Sequence, residues 1–235
     1  MELHKHGRKQ AFTLAEVLIT LGVIGVVAAI TIPGLISKYQ KHVLHNQFKQ
    51  ACSILSQMHQ RMLNDDIAIY QEFVTDDIIL DSVASKHIET IVKYLNASVC
   101  NSNYLSCTGG SDYKTLNGEA RAHIGADSYT AKTILLNNGM TLWRGNLRFG
   151  RNKYYIDTNG TAKGPNKLGY DLFTFVIDSS NKLVPEKNNP NLSKSCSFIN
   201  PANTNVYLGF GCAHYALADE NPDEPGKTYW KDFLK

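Results

Sequence analysis

One carboxylate stands alone in the apolar N-terminal quarter of this sequence. From Phe12 to Ile36 there are twenty-five residues, and Glu16 is the only ionisable side chain among them. At about 1.5 Å rise per residue, such a stretch is long enough to cross a ~30 Å hydrocarbon layer as a helix. A carboxylate at that depth costs on the order of 2.5–3.5 kcal/mol and calls for a partner. No Lys, Arg or His lies within the span. A cut between Ala11 and Phe12 would supply a cation, because the new α-amino group would lie one helical turn from Glu16 or beside the Glu16 of a neighbouring copy. The pattern therefore predicts processing and self-assembly together.

Other residues capable of chemistry lack the companions that chemistry needs. There is no Gly-x-Ser-x-Gly elbow and no His-Glu-x-x-His, so the expectation is that the chain is not an enzyme. His42 and His45 lie three apart on a predicted helix, and Cys212-Ala213-His214 resembles a fragment of a zinc site. Neither has the rest of a tetrahedral set at usable spacing. Gly22-Val-Ile-Gly25 falls in the apolar run and not after a strand, so it suits close helix contact, with Gly25 and Ala29 as a small-residue pair. Trp143, Arg144, Arg148, Arg151 and Lys153 beside Tyr154 and Tyr155 mix aromatic and basic residues, the combination that holds single-stranded nucleic acid. A half-solvated strand pair explains them as well, and contact with nucleic acid is the lesser expectation.

The elements that must position Glu16 follow from periodicity. The apolar run is too long for a secretory signal and carries an acid inside it, despite a small-residue site at Val27-Ala28-Ala29. A plain membrane anchor leaves Glu16 unexplained. After a polar, basic exit from Ser37 to His42, the residues Leu44, Phe48, Ala51, Leu55, Met58 and Met62 form one apolar stripe at helical spacing. A kink or a break is expected at Pro33. Asn64-Asp65-Asp66 interrupts the stripe, and a second helix is expected from about Asp76 or Asp77 to Leu95. From Thr130 the pattern changes to strands. Residues 133–136 and 140–143 flank Asn137-Asn138-Gly139, residues 154–157 precede Asn159-Gly160, and residues 171–177 and 182–184 flank another turn. An antiparallel sheet of four or five strands with one apolar face is expected, packed on the stripe.

Net charge is +3. Loss of Met1 to Ala11 would remove three basic residues and one acid, leaving +1, so the apparent basicity is mostly in the leader. Basic residues before a membrane helix hold the N-terminus in the cytoplasm and place the rest on the far side. Five cysteines fit an oxidising far side, and Cys100 with Cys107 and Cys196 with Cys212 would close two short loops. Five thiols forming two bridges still allow fifteen arrangements. Cys52 is the odd one and suits a small buried helix residue.

A short basic leader, a small residue, then Phe-Thr-Leu-x-Glu-Val-Leu-Ile and an apolar helix resembles the signal of type IV prepilins and type II secretion pseudopilins. The resemblance is specific over Ala11 to Ile36 and architectural beyond Met62. It implies cleavage by a membrane prepilin peptidase between Ala11 and Phe12, methylation of the Phe12 amine, and a role for Glu16 in setting register against an adjacent subunit. Ala11 stands where that family usually carries Gly, and Pro33 falls where its members commonly carry a helix-disrupting proline. A Cys196–Cys212 loop would resemble the C-terminal disulfide loop of many pilins. Calcium sites in major pseudopilins encourage a calcium expectation at Asp157, Asn159 and Asp171, although the spacing lacks the alternating acids of an EF-hand.

The expected fold is α+β and pilin-like, with a long N-terminal helix packed on a small antiparallel sheet. Residues 1–11 would be a cleaved leader, 12–36 the transmembrane and assembly helix, 37–63 its amphipathic continuation, and 64–235 a periplasmic or extracellular domain. The expected function is that of a structural subunit of a type IV pilus or secretion pseudopilus, with Glu16, Gly22, Gly25 and Pro33 serving assembly. Expected partners are prepilin peptidase, copies of the chain, other pilin-like subunits and the bacterial inner membrane. A single-pass anchored enzyme or ligand-binding protein is the rival reading.

Overall fold

The computed structural model describes residues 13–67, 81–100, 107, 112–122, 133–144, 152–187, 196–199 and 205–235. Two compact units divide the chain, Met1–Gln40 and Lys41–Lys235. One helix, α1 (Leu14–Asn64), contributes to both. Pro33 has no N–H to offer the carbonyl of Ala29, yet the helix runs unbroken through it. Of the two outcomes open at Pro33, a single helix forms. Asn64-Asp65-Asp66 ends it, with Asp66 at φ 57° and the Ile67 N–H donating to the Met62 carbonyl at 2.9 Å. The left-handed residue lets the chain turn back over the last helical turn.

Within the larger unit the stripe is buried as its spacing requires. Leu44, Phe48, Ala51, Leu55, Met58 and Met62 all lie in the core. They pack with α2 (Asp81–Leu95), through Ile88 and Ile91, and with one face of a sheet. The end of α2 matches the expectation, while the predicted start at Asp76 or Asp77 lies outside the described residues.

The sheet has six antiparallel strands in sequence order: β1 (Ser98–Cys100), β2 (Thr133–Leu135), β3 (Thr141–Arg144), β4 (Asn152–Asp157), β5 (Leu172–Ile177) and β6 (Leu183–Pro185). The expected strands are present. The additional one is β1, which pairs Val99 with Ile134 at the sheet edge. Gly139, at φ 88°, makes the β2–β3 turn, and an added Cβ at Gly160 would fall 2.4 Å from the Gly139 carbonyl oxygen. Glycine is therefore required at Gly160 by that approach and at Gly139 by its left-handed backbone.

The expectation of one apolar face is corrected. All six residues of β5 are buried, because both faces of the central strands are covered. Leu142, Tyr154, Ile156, Phe173 and Phe175 face the helix side, with the Phe48 and Phe173 ring centroids 4.4 Å apart. Trp143, Tyr155 and Leu172 face the other way and pack with Tyr113, Ala122, Leu168 and Phe210. The tail completes the larger unit. It forms α3 (Cys212–Ala218) and a π-helical turn at Tyr229–Phe233, burying Tyr229, Trp230, Phe233 and Leu234. The whole is an α+β, pilin-like architecture.

Candidate assembly site

Thr13 and Glu16 form a reciprocal cap at the start of α1. The Thr13 N–H and hydroxyl both donate to Glu16 Oε2 at 2.8 Å, and the Glu16 N–H donates to Thr13 Oγ1 at 3.2 Å. The first helical N–H groups have no intrahelical acceptor, and a Thr-x-x-Glu sequence supplies two. The Thr-x-x-Glu spacing is itself the sequence signal for this cap. Both Thr13 donors converge on one carboxylate oxygen, and among the described residues no hydrogen bond engages the other, Oε1. Ala11 and Phe12, where cleavage is expected, lie outside the described residues.

The helix beyond the cap is uncovered. Among residues 13–40 every side chain is exposed except that of Ala28, which is half-buried. The large apolar side chains of this stretch range from 45% exposed at Val17 to 79% at Leu14. Gly22 and Gly25 have nothing within 4 Å of an added Cβ, so among the described residues no group explains their lack of a side chain. Close approach of another helix would. Among the described residues, α1 is long and apolar enough to cross a membrane.

The cysteines pair as the two short loops. Cys100 joins Cys107 and Cys196 joins Cys212, each pair enclosing a short segment of chain. The first bridge leads off the edge strand β1. The second fixes the N-terminus of α3 to the segment before it and lies in the core. Cys52 is free and half-buried on α1, and burial pushes its thiol up to about 12.

Asp157, Asn159 and Asp171 are brought together in the β4–β5 connection, and all three are buried. Asp157 Oδ1 accepts the N–H groups of Asn159 (3.0 Å) and Gly160 (2.8 Å), while its Oδ2 accepts the Tyr113 hydroxyl at 2.5 Å. Asp171 accepts the N–H groups of Asn166 and Lys167 at 2.7 and 2.8 Å. Asn159 donates to the Gly164 carbonyl, and Asn166 to that of Thr161. Every carboxylate oxygen thus meets a protein N–H or O–H, whereas calcium requires six to eight converging oxygens. Burial raises both carboxyls above their usual range, and the neighbouring Asp157 charge raises Asp171 further. Tyr113 is the partner that sequence reasoning missed, since it lies 44 positions from Asp157.

Burial and pairing account for the residues of three lesser candidates. Trp143, Tyr154 and Tyr155 are core residues, and Lys153 is held at 2.5 Å from Glu186 in a buried ion pair. None of them is available to stack on a base or meet a phosphate. Arg148 and Arg151 lie outside the described residues. His45 stacks on Trp230, and His42 pairs with Asn46 at 3.0 Å, so the two imidazoles do not share a ligand. Cys212 is consumed by its disulfide, which removes the zinc-like fragment at His214.

No curated protein and no solved structure is significantly similar to this chain. One family model does match: the prokaryotic N-terminal methylation motif, over residues 6–32. That match covers Arg8 and Lys9, the Ala11–Phe12 junction where a cut is expected, the Thr13–Glu16 cap and most of the uncovered helix. The chain thus carries the type IV prepilin-type signal, that of a pilin-like or pseudopilin-like substrate of prepilin peptidase.

Proposed function

We propose that this protein is a structural filament subunit, a pilin or pseudopilin. It is held in the inner membrane with its N-terminus cytoplasmic, cut between Ala11 and Phe12, methylated on Phe12, and drawn into a helical fibre. The observation that carries this reading is the uncovered helix of residues 13–40 behind a prepilin-type signal. Lipid covers such a surface in the membrane, and other copies of the helix cover it in a fibre. Exchanging lipid for helix gains little by itself, so register has to come from polar pairing and close packing. Glu16 Oε1 is the oxygen left for a neighbour's Phe12 amine, and the open flanks of Gly22 and Gly25 admit an adjacent backbone. The work is mechanical and structural, with no catalytic step. Calcium at the Asp157 and Asp171 turn is a separate proposal, which calorimetric titration of the purified chain with Ca²⁺ tests. The assembly reading is tested by Glu16→Ala: the variant inserts into the membrane at wild-type level and assembles poorly. A normal fibre yield would overturn the pairing argument.

A further inference from the structure

Lys114, Arg121 and Lys167 form a row of cations on three neighbouring backbone segments. Lys114 is the antiparallel partner of Arg121 and the parallel partner of Lys167. The bonds Thr115 N–H to Ala120 O and Ala122 N–H to Tyr113 O bracket Lys114 and Arg121. They are therefore a non-hydrogen-bonded pair, the arrangement that brings opposed side chains closest. Tyr113, Thr115 and Ala122 are buried, so Lys114 and Arg121 project outward, and both are exposed. Lys167 lies over the Tyr170 ring at 4.2 Å, beside Gly118. Like charges directly opposed in a sheet are destabilising. Asp112 pairs with Arg121 at 3.1 Å with both side chains exposed, and the Asp171 charge acts on Lys167.

A complementary surface occurs elsewhere on the same chain. The loop after α3 reads Asp219-Glu220-Asn221-Pro222-Asp223-Glu224, with four acids and no cation before Lys227. Its shape is fixed from within. Asp219 accepts the Tyr229 and Trp230 N–H groups, Asp223 accepts the Phe198 N–H and the Ser197 hydroxyl, and Asn221 accepts the Asp223 and Glu224 N–H groups. Glu220 and Glu224 are presented to solvent on this frame, and among the described residues Glu224 has only an exposed pair with Lys227. Among the described residues no ion pair joins this loop to the cation row.

We propose that the Lys114–Arg121–Lys167 row docks onto the Glu220 and Glu224 loop of a second copy of this chain. The contact rests on the filament reading, which brings many copies together. It is head-to-tail, the kind of contact that repeats along a fibre when its rotation does not close a ring. A nucleic acid fits the row less well. The rings beside it, Tyr113 and Tyr170, are buried and offer no stacking face.

The test is charge reversal in the full-length chain, expressed with its own assembly machinery. Lys114→Glu with Lys167→Glu lowers the assembled fraction about tenfold, as does Glu220→Lys with Glu224→Lys, because each sets like charges against each other. Combining all four substitutions restores assembly, which also shows that the parents fold. Either pair assembling like the wild type would overturn the contact, and so would a combined variant no better than its parents. Loss of nucleic-acid retention with unchanged fibre yield in the lysine variant would also overturn it, in favour of a polyanion. Wild-type fibres with indifferent variants remove this contact alone, whereas the absence of wild-type fibres removes the filament reading with it.

Discussion

The imidazole of His45 lies flat on the indole of Trp230, with ring centroids 4.8 Å apart and planes within 10°. Through this stack the C-terminal segment is fastened to the start of the packed part of α1. Trp230 also meets Phe48 at 5.5 Å and Phe173 at 6.0 Å, and its Nε1 donates to the Ala216 carbonyl at 3.0 Å. Lys41 reaches the Leu234 carbonyl at 2.5 Å from one helical turn earlier. Helix, sheet and tail therefore converge on one indole. Trp230→Ala should lower stability by about 3–5 kcal/mol, the usual cost of emptying so large a core site. Thermal denaturation of the detergent-solubilised chain measures it. Lys41→Met removes a half-exposed donor and should cost about 1 kcal/mol.

The buried acids predict an unusual pH trend for one part of the domain. Asp171 is pushed up to about 7, first by burial and then by the Asp157 charge. A carboxyl raised in the folded state binds its proton more tightly there than in the unfolded chain. Its contribution to stability is therefore complete below about pH 4 and falls as pH rises to about 7. Asp171→Asn should accordingly cost more stability at pH 5 than at pH 8, read as the difference in Tm from the wild type. An equal cost at both values would show that Asp171 stays ionised throughout.

His59 and His45 act in the opposite sense. Burial lowers both, and His59 bonds the Asn181 carbonyl at 2.8 Å through Nε2 while its Nδ1 is buried with no partner among the described residues. An imidazole depressed in the folded state stabilises fully above its ordinary value near 6.5 and loses that contribution as pH falls through the folded value. His59→Gln should flatten the decline in Tm below pH 6.5, even if it lowers Tm overall. A slope identical to the wild type would remove His59 from the account.

The disulfides should differ in weight. Cys196–Cys212 spans 16 positions and sits in the core, whereas Cys100–Cys107 spans 7 at a sheet edge. The chain-entropy account gives the longer loop about 3 kcal/mol and the shorter one less. Replacing Cys196 and Cys212 together by Ala should lower Tm more than replacing Cys100 and Cys107. Alkylation of the unreduced native chain should add no more than one label, slowly, at Cys52.

Much of this molecule was legible because its signals are local. The six stripe residues from Leu44 to Met62 repeat at helical spacing, and the Asn137-Asn138-Gly139 turn sits between two apolar runs. What escaped was set by distant parts of the chain. Ser98–Cys100 is a strand only because β2 offers it an edge, and three residues carry no alternation to read. The second apolar face of the sheet depends on Tyr113, Leu168 and Phe210 arriving from three separate segments. The aromatic run Tyr229-Trp230-Lys231-Asp232-Phe233-Leu234 is a signal of burial within a tail rich in Asn and Pro. At the candidate site, Glu16 and the glycines stood out by composition, while the Thr13 cap shows how the chain itself holds that carboxylate.

The central claim is that residues 6–32 are read by a prepilin peptidase and that Phe12 becomes the N-terminus of the working subunit. Intact mass and the N-terminal peptide of the protein recovered from native membranes test it directly. The account predicts a chain beginning at methylated Phe12. A chain beginning at Met1 would contradict it and would leave a solitary membrane anchor as the better reading.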